Sequence, residues 1–276
     1  MTDVLVRLEG ALVHHGPAND RAYLMKLGAD AEPAVVATAL DELAVEQDYG
    51  KIVAKVPAPA RADFAAAGYC CEATIPRPVG DDDIHFMAKY RASARAEMQD
   101  AERVRRVLAA AEAKAAEPEA ADSPLPCRAA TPTDAEAMAD VYRQVFASYP
   151  FPIDDPGYLR RTMAEHVAYF GAWDEGRPVA LASAEMDPAG GCVEMTDFAT
   201  LPAYRGRGLA TALLTRMEEA MRERGLDLAY TIARAVSFGM NITFARCGYC
   251  FGGTLTNNTQ IAGRLEDMNI WYKPLV

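Results

Sequence analysis

The run from Phe198 to Leu214, FATLPAYRGRGLATALL, constrains this chain more than any other stretch. Pro202 ends an extended segment, and Gly206 and Gly208 let the backbone turn and present successive amides. Leu209, Leu213, Met217 and Met221 then recur at the four-residue interval of a helix that stops at Gly225. A strand, a glycine-bearing turn and a helix N-terminus together make an anion cradle, because first-turn amides lack intrahelical partners and the helix dipole favours negative charge. The ligand it suits best is a pyrophosphate. No Gly-Lys-Ser/Thr follows, which excludes a nucleoside triphosphate loop, and the dinucleotide fingerprint is absent as well.

Upstream, periodicity predicts strands over 4–13 and 22–27, a helix over 33–45, a buried strand over 51–56, a helix over 58–67 closed by Gly68-Tyr69, and a strand over 84–90. His14 and His15 read as residues flanking the turn at Gly16-Pro17. An Ala/Glu/Arg-rich helix spans 91–121 and breaks at Ser123-Pro124-Leu125-Pro126. This divides the chain into an N-terminal α/β domain (1–115), a linker (116–126) and a C-terminal domain (127–276). The latter opens with a helix start at Thr131-Pro132-Thr133-Asp134 and a helix to about Ala147. The proline-aromatic loop Tyr149 to Pro156 follows, then a helix over 158–166 and strands over 169–174, 179–186 and 193–201. The fold class expected is α/β (α+β), with a mixed, mostly antiparallel central sheet in the C-terminal domain.

A formal charge of −11 argues against a nucleic-acid or anionic-membrane partner, since either needs a basic surface. The first residues do not read as a secretory signal and no apolar run approaches a membrane span, so a cytoplasmic location is expected. Six cysteines at this length need no disulfide scaffold. Cys247-x-x-Cys250 has neither a second pair nor nearby histidines, so no metal is expected.

Arg205-x-x-Gly208-x-Ala210 after such a strand resembles the acyl-CoA motif of the GNAT N-acetyltransferase superfamily. Asn241-Ile242-Thr243-Phe244-Ala245-Arg246-Cys247-Gly248-Tyr249 resembles its second motif, a short helix ending in Gly and followed by an aromatic. The resemblance implies acetyl-CoA as co-substrate. Main-chain groups of Phe198, Ala199 and Thr200 would run beside the pantetheine arm, amides of Arg205, Gly206, Arg207, Gly208, Leu209, Ala210 and Thr211 would take the pyrophosphate, and Asn241 and Phe244 would border the cofactor. A backbone N–H near Phe198 would hold the oxyanion. Amine acetylation needs an uncharged nucleophile and so a base. Glu194, four residues before Phe198, is the first candidate, Asp197 the rival and Glu185 a more distant one. The family commonly has a tyrosine as general acid where this chain has Phe244, which leaves water, Tyr249, Tyr230 or no acid at all.

The tail from Gly248 to Gly263, with Met268 to Leu275, is similar to the β-lysine N-acetyltransferases, as are Asn19 to Lys26 and Lys51 to Pro57. This resemblance covers most of the chain. It implies acetylation of the terminal N6 amine of β-lysine to Nε-acetyl-β-lysine, a compatible solute. Such an acceptor needs acids at one end and donors at the other: Asp154, Asp155, Glu266 and Asp267 are candidate acids, Asn257, Asn258, Arg160 and Arg161 candidate carboxylate partners, and Tyr149 a further candidate for the substrate site. Another small amine (a polyamine or an amino acid) and a non-catalytic acyl-CoA sensor are the alternatives. Neither nucleic acid nor membrane is expected as a partner, and a homodimer stays open. Finally, Phe64 to Cys70 followed by Met87 to Tyr90 echoes Phe244 to Cys250 followed by Trp271 to Lys273, at an offset of 180 residues in the first block. The N-terminal domain is therefore read as a reduced, GNAT-like copy without a CoA loop.

Overall fold

The computed structural model describes residues 3–77, 83–117, 125–261 and 263–275. Most of the expected linker, 118–124, lies outside the described residues. Two compact units are present, one of Met1–Ala101 with Gly252–Ile270 and one of Glu102–Phe251 with Trp271–Val276.

In chain order the first unit comprises β1 (Val4–Leu8), β2 (Ala11–Gly16), β3 (Arg21–Lys26), α1 (Pro33–Glu46), β4 (Lys51–Pro57), α2 (Arg61–Ala66), β5 (Cys70–Ile75) and β6 (Ile84–Tyr90). Helix α3 (Ala101–Ala115) places Ala111 in the core of the second unit. That unit continues with β7 (Cys127–Ala129), α4 (Ala135–Val145), α5 (Pro156–Glu165), β8 (Val167–Asp174), β9 (Arg177–Asp187), β10 (Cys192–Thr200), α6 (Leu209–Glu223), β11 (Leu228–Arg234) and α7 (Phe238–Arg246). The chain closes with β12 (Cys250–Ile261) and β13 (Arg264–Pro274). Strand order in the first unit is β1-β2-β3-β4-β6-β5-β12, and in the second β7-β8-β9-β10-β11, with β13 beside β11. The pairs β3–β4 and β10–β11 are parallel, among mostly antiparallel ladders.

The single strand expected over 4–13 is instead a hairpin. Glu9 and Gly10 both have positive φ, 48° and 79°, and Leu8 faces Ala11 across a two-residue turn, the geometry that matches strand twist best. His14 and His15 lie at the end of β2, just before the turn over 17–20. His14 is buried, and that burial, aided by Arg21, pushes its pKa down to about 4.

One face of the first sheet buries Val13, Leu24, Ile52 and Val56 under α1 and α2. The other face carries Arg21 and Lys51, register partners on β3 and β4, and both are buried. Lys51 Nζ donates to Glu72 Oε2 at 2.8 Å and to the Thr256 carbonyl at 2.6 Å, while Glu72 Oε1 accepts from Thr256 N at 3.0 Å. Arg95 donates to the Asn257 carbonyl at 2.8 Å, Asn19 Oδ1 accepts from Gln260 N at 2.7 Å, and Arg21 reaches the Asn258 carbonyl. Side chains thus satisfy the backbone of β12 where its ladder to β5 has ended, after Gly253 opposite Ala73. Gly253 is obligatory there, since a Cβ would sit 2.3 Å from the Glu72 carbonyl.

The succession β3-α1-β4-α2-β5-β6 is repeated as β10-α6-β11-α7-β12-β13. Phe64 and Tyr69 meet edge to face at 5.2 Å, and Phe244 and Tyr249 at 5.1 Å. Lys89 lies over Tyr69 and bonds Asp41 of α1 at 2.6 Å, and Lys273 lies over Tyr249 and bonds Glu218 of α6 at 2.7 Å. The same tyrosine, lysine and helix carboxylate recur in each set.

Candidate active site

In the second unit the side chains of β10 alternate between two cores. Val193 and Met195 pack with α6, and Ala199 packs with α4 and α5. The β10–β11 ladder joins only Cys192, Val193 and Glu194 to Leu228, Ala229 and Tyr230. Among the described residues β10 and β11 do not pair beyond Glu194, and β10 carries a bulge between Thr196 and Ala199 in its pairing with β9, with Asp197 at φ 54°. A bulge adds twist and bends a strand, so β10 turns away from β11 and leaves main-chain groups of residues 198–200 open to a ligand.

At this opening lies a cleft of about 410 Å³, lined by Phe198, Thr200 and Tyr204, by Arg205, Gly206, Gly208, Leu209, Ala210 and Thr211, and by Ser237, Gly239, Met240 and Thr243 of the α7 start, with Val145 of α4. Gly208 is the N-cap of α6 in the left-handed region, φ 71°, a conformation costing other residues roughly 1–2 kcal/mol. The first bond of α6 runs from Ala212 N to Gly208 O, so the preceding amides belong to the open first turn. The guanidinium groups of Arg205 and Arg207 are exposed and steadied by the carbonyls of Thr200 (3.2 Å) and Ala203 (3.0 Å), and Arg207 stacks on Tyr204 at 4.8 Å. Two helix N-termini and Arg205 therefore meet in one cleft of an acidic protein, with Arg207 on the same turn against Tyr204, a fit for a phosphorylated ligand with an extended arm. Sequence reasoning named Asn241 and Phe244 of α7 but missed Ser237, Gly239 and Met240 at its start; Ser237 before a glycine-containing helix start was the signal present.

Glu194 is half-buried at the root of the opening, opposite Glu185 on β9 and beside Tyr230 on β11. Asp197 is buried, and its Oδ2 accepts from Ser183 Oγ at 2.6 Å. Burial lifts the Asp197 pKa above the usual carboxylate range, against hydrogen bonds from Ser183, Tyr149 and Thr196 that favour the charged form. Tyr149 is held well above its ordinary pKa by burial and by the charges of Asp197 and Glu185.

The side chains of other expected positions do not line the cleft. Ala199 is buried in the α4/α5 core. Asn241 donates to the carbonyls of Arg234 (2.9 Å) and Ser237 (2.7 Å) and accepts from Trp271 Nε1 (2.8 Å), tying α7 to β11 and β13. Phe244 is buried edge-on between Phe198 and Tyr249. Tyr249 faces α6, where burial and then the nearby Glu218 charge raise its pKa far above 10; it lies in the core beneath α6. Asp155 caps α5, accepting from Gly157 N and Tyr158 N, and Asp154 offers its carbonyl to Arg143. Asn257 and Asn258 belong to the first unit. Asn257 N donates to Asp267 Oδ1 at 2.7 Å and its side-chain amide donates to the carbonyls of Arg95 and Glu97, while Asn258 Nδ2 donates to Thr259 Oγ1. Among the described residues no group of three His, Cys, Asp or Glu is arranged to hold a metal ion, all six cysteines are free, and no helix is long and apolar enough to cross a membrane.

Residues 136–249 match the acetyltransferase (GNAT) family. The chain is 39% identical over 270 residues to the β-lysine N(6)-acetyltransferase of Methanococcus maripaludis, covering 98% of each, and 34% identical to that of Methanosarcina mazei, covering 87% of this chain and 97% of the relative. Among solved structures, a GNAT-superfamily phosphinothricin acetyltransferase from Sinorhizobium meliloti, in complex with acetyl-CoA, is similar over 54% of this chain and 88% of its own, at 19% identity and a TM-score of 0.49.

Proposed function

We propose that this chain, which belongs to the family of the β-lysine N(6)-acetyltransferases among the GNAT acetyltransferases, transfers the acetyl group of acetyl-CoA to the terminal N6 amine of β-lysine, giving Nε-acetyl-β-lysine. The observation that carries this reading is the opening of β10 from β11 just beyond Glu194, leading straight into the cleft at the α6 start. Acetyl-CoA supplies the activated acyl thioester. The open first turn of α6 with Gly206 and Gly208 binds its diphosphate, and the freed edge of β10 receives the pantetheine arm in the manner of a strand. Phe198 N–H donates to the thioester oxygen as charge develops there.

The acceptor arrives as an ammonium ion and must lose a proton before it can attack. Glu194, half-buried at the root of the opening, takes that proton directly or through a water. Asp197, buried and already engaged by three hydroxyl donors, is wired to hold the bulge and Tyr149 in place. Phe244 has no proton to give, so the departing thiolate is protonated by solvent or leaves as the anion, which a thiol's moderate pKa permits.

The reading is tested by following free CoA released from acetyl-CoA with β-lysine, α-lysine, spermidine and a lysine peptide. Preference for β-lysine, with kcat lowered about 100-fold or more in Glu194→Gln, supports acceptor and base together. Tight acetyl-CoA binding with no turnover on any amine would replace the enzyme reading with that of a sensor.

A further inference from the structure

The α4/α5 face of the second unit holds more carboxylates than one proton transfer requires. Strand alternation puts Ser183 and Glu185 on the same face as Leu181, which packs with α4 and α5, while Ala182 and Ala184 fill the α6-side core. In the register of β9 with β10, Glu185 faces Glu194 and Ser183 faces Thr196. Directly opposed side chains on an antiparallel pair stand about 5 Å apart at Cβ, and like charges so placed repel. Asp197, buried three residues further along β10, adds a third carboxylate to the same area.

Around this group stand Tyr149, Tyr158 and Tyr169, all packed on the α4/α5 side. Each lies within the field of both Glu185 and Asp197, and these charges join burial in keeping all three phenols protonated. Tyr169 is anchored by Thr162 at 2.9 Å, whereas Arg161 stands at the outer edge, 5.9 Å from the Tyr158 ring centroid. Independently of the acids, the hydroxyl of Tyr142 is fully buried beside Asp197 and Tyr169, and among the described residues it has no hydrogen-bond partner. A buried donor left unmet beside Asp197 marks a place where a polar ligand or its water completes the structure. Aromatic faces and carboxylates together suit one chemistry, an alkylammonium ion.

The geometry points to Glu185, flanked by Tyr149 and Tyr158, as the subsite for the acceptor's second, non-reacting ammonium group, with Glu194 across the ladder serving the reacting one. This rests on the reading that the acceptor is a diamino acid. The cross-ladder spacing is one that four carbons between two amines can bridge, as they do between N3 and N6 of β-lysine. The second ammonium pairs its charge with Glu185 on binding. A monoamine cannot, so Glu185 sets selectivity for diamines.

The test compares β-lysine with 6-aminohexanoate, which is β-lysine without its 3-amino group, in wild type and Glu185→Gln, with the acetyl-CoA dissociation constant as the check on folding. In the variant, KM for β-lysine is expected to rise at least about tenfold with kcat little changed, while 6-aminohexanoate kinetics stay the same. An equal loss on both acceptors, or an unchanged ratio, overturns the assignment. Should Glu185→Gln fail to bind acetyl-CoA, wild type decides: 1,4-diaminobutane is expected to compete with β-lysine at least about tenfold better than butylamine, and equal inhibition overturns the subsite. A wild type that turns over α-lysine or spermidine but not β-lysine refutes the acceptor reading alone, and the same comparison of diamine with monoamine is then made on that acceptor.

Discussion

At the scale of single residues, the proposed chemistry turns on two acids that sequence alone left as rivals. Glu194 is half-buried where β10 leaves β11. Asp197 is buried at positive φ with Ser183, Tyr149 and Thr196 donating to it. Asparagine tolerates the left-handed region as well as aspartate does and keeps one acceptor oxygen, so Asp197→Asn is expected to preserve the bulge. Its kcat/KM should fall by no more than about tenfold, against about 100-fold or more for Glu194→Gln. Steady-state kinetics of both variants decide between them, and a larger loss in Asp197→Asn would move the base to Asp197. The motif residues were legible because a glycine at positive φ and a proline at a strand end have few other uses. Asn241 shows the limit: its spacing marks a motif, but that its amide is consumed by Arg234, Ser237 and Trp271 depends on contacts no local pattern encodes. Glu185 was visible only as a distant acid, since the register that sets it against Glu194 is a property of two paired strands.

At the scale of elements, helix starts were the best-specified features. Thr131 and Asp134 form a capping box ahead of α4, and Arg128 meets Asp134 at 2.9 Å. The hydrogen bond from Arg128, with those from Thr131, holds the Asp134 pKa down to about 2. The folded state therefore binds this proton less readily than the unfolded chain, whose pKa is near the ordinary 3.8. The stabilisation is complete above that ordinary value and is lost as pH falls through about 2. Asp134→Ala should cost about 1 kcal/mol at pH 7, with the gap to wild type in urea unfolding closing as the pH is lowered from 4 towards 2. A gap that stays constant would show that the box contributes nothing through its charge. Elements were missed where the signal was weakest. The β1–β2 turn is only Glu9-Gly10, and β5 begins at two exposed cysteines and lacks clean alternation.

At the scale of the whole molecule, the same set of tyrosine, lysine and helix carboxylate occurs at both places where the sequence echoes itself. The two sets of elements differ where the ligand would enter. Strands β3 and β4 stay paired over four residues, Arg21 to Leu24 with Lys51 to Ala54, whereas β10 and β11 pair over three and then lose register. The turn leading into α1 carries Asp30 and Glu32 with no side-chain cap at Glu32, which repels phosphate where α6 offers glycines and arginines. Calorimetric titration should accordingly give one acetyl-CoA per chain, and two sites would contradict this difference. The buried cations of the first unit have another use. Burial pushes Lys51 down to about 8 and Arg21 to about 10, a cost offset by the carbonyls of β12 and by Glu72. Periodicity could mark Lys51 to Val56 as a strand, but it could not show that Lys51 faces inward onto a segment some 200 residues away.

The central claim is tested most directly by the product itself. Incubating the protein with acetyl-CoA and β-lysine, and locating the acetyl group by NMR, should give N6-acetyl-β-lysine in step with the CoA released, and none of it with Glu194→Gln beyond about 1% of the wild-type rate. Acetylation at N3, or CoA release with no acetylated β-lysine, would contradict the account.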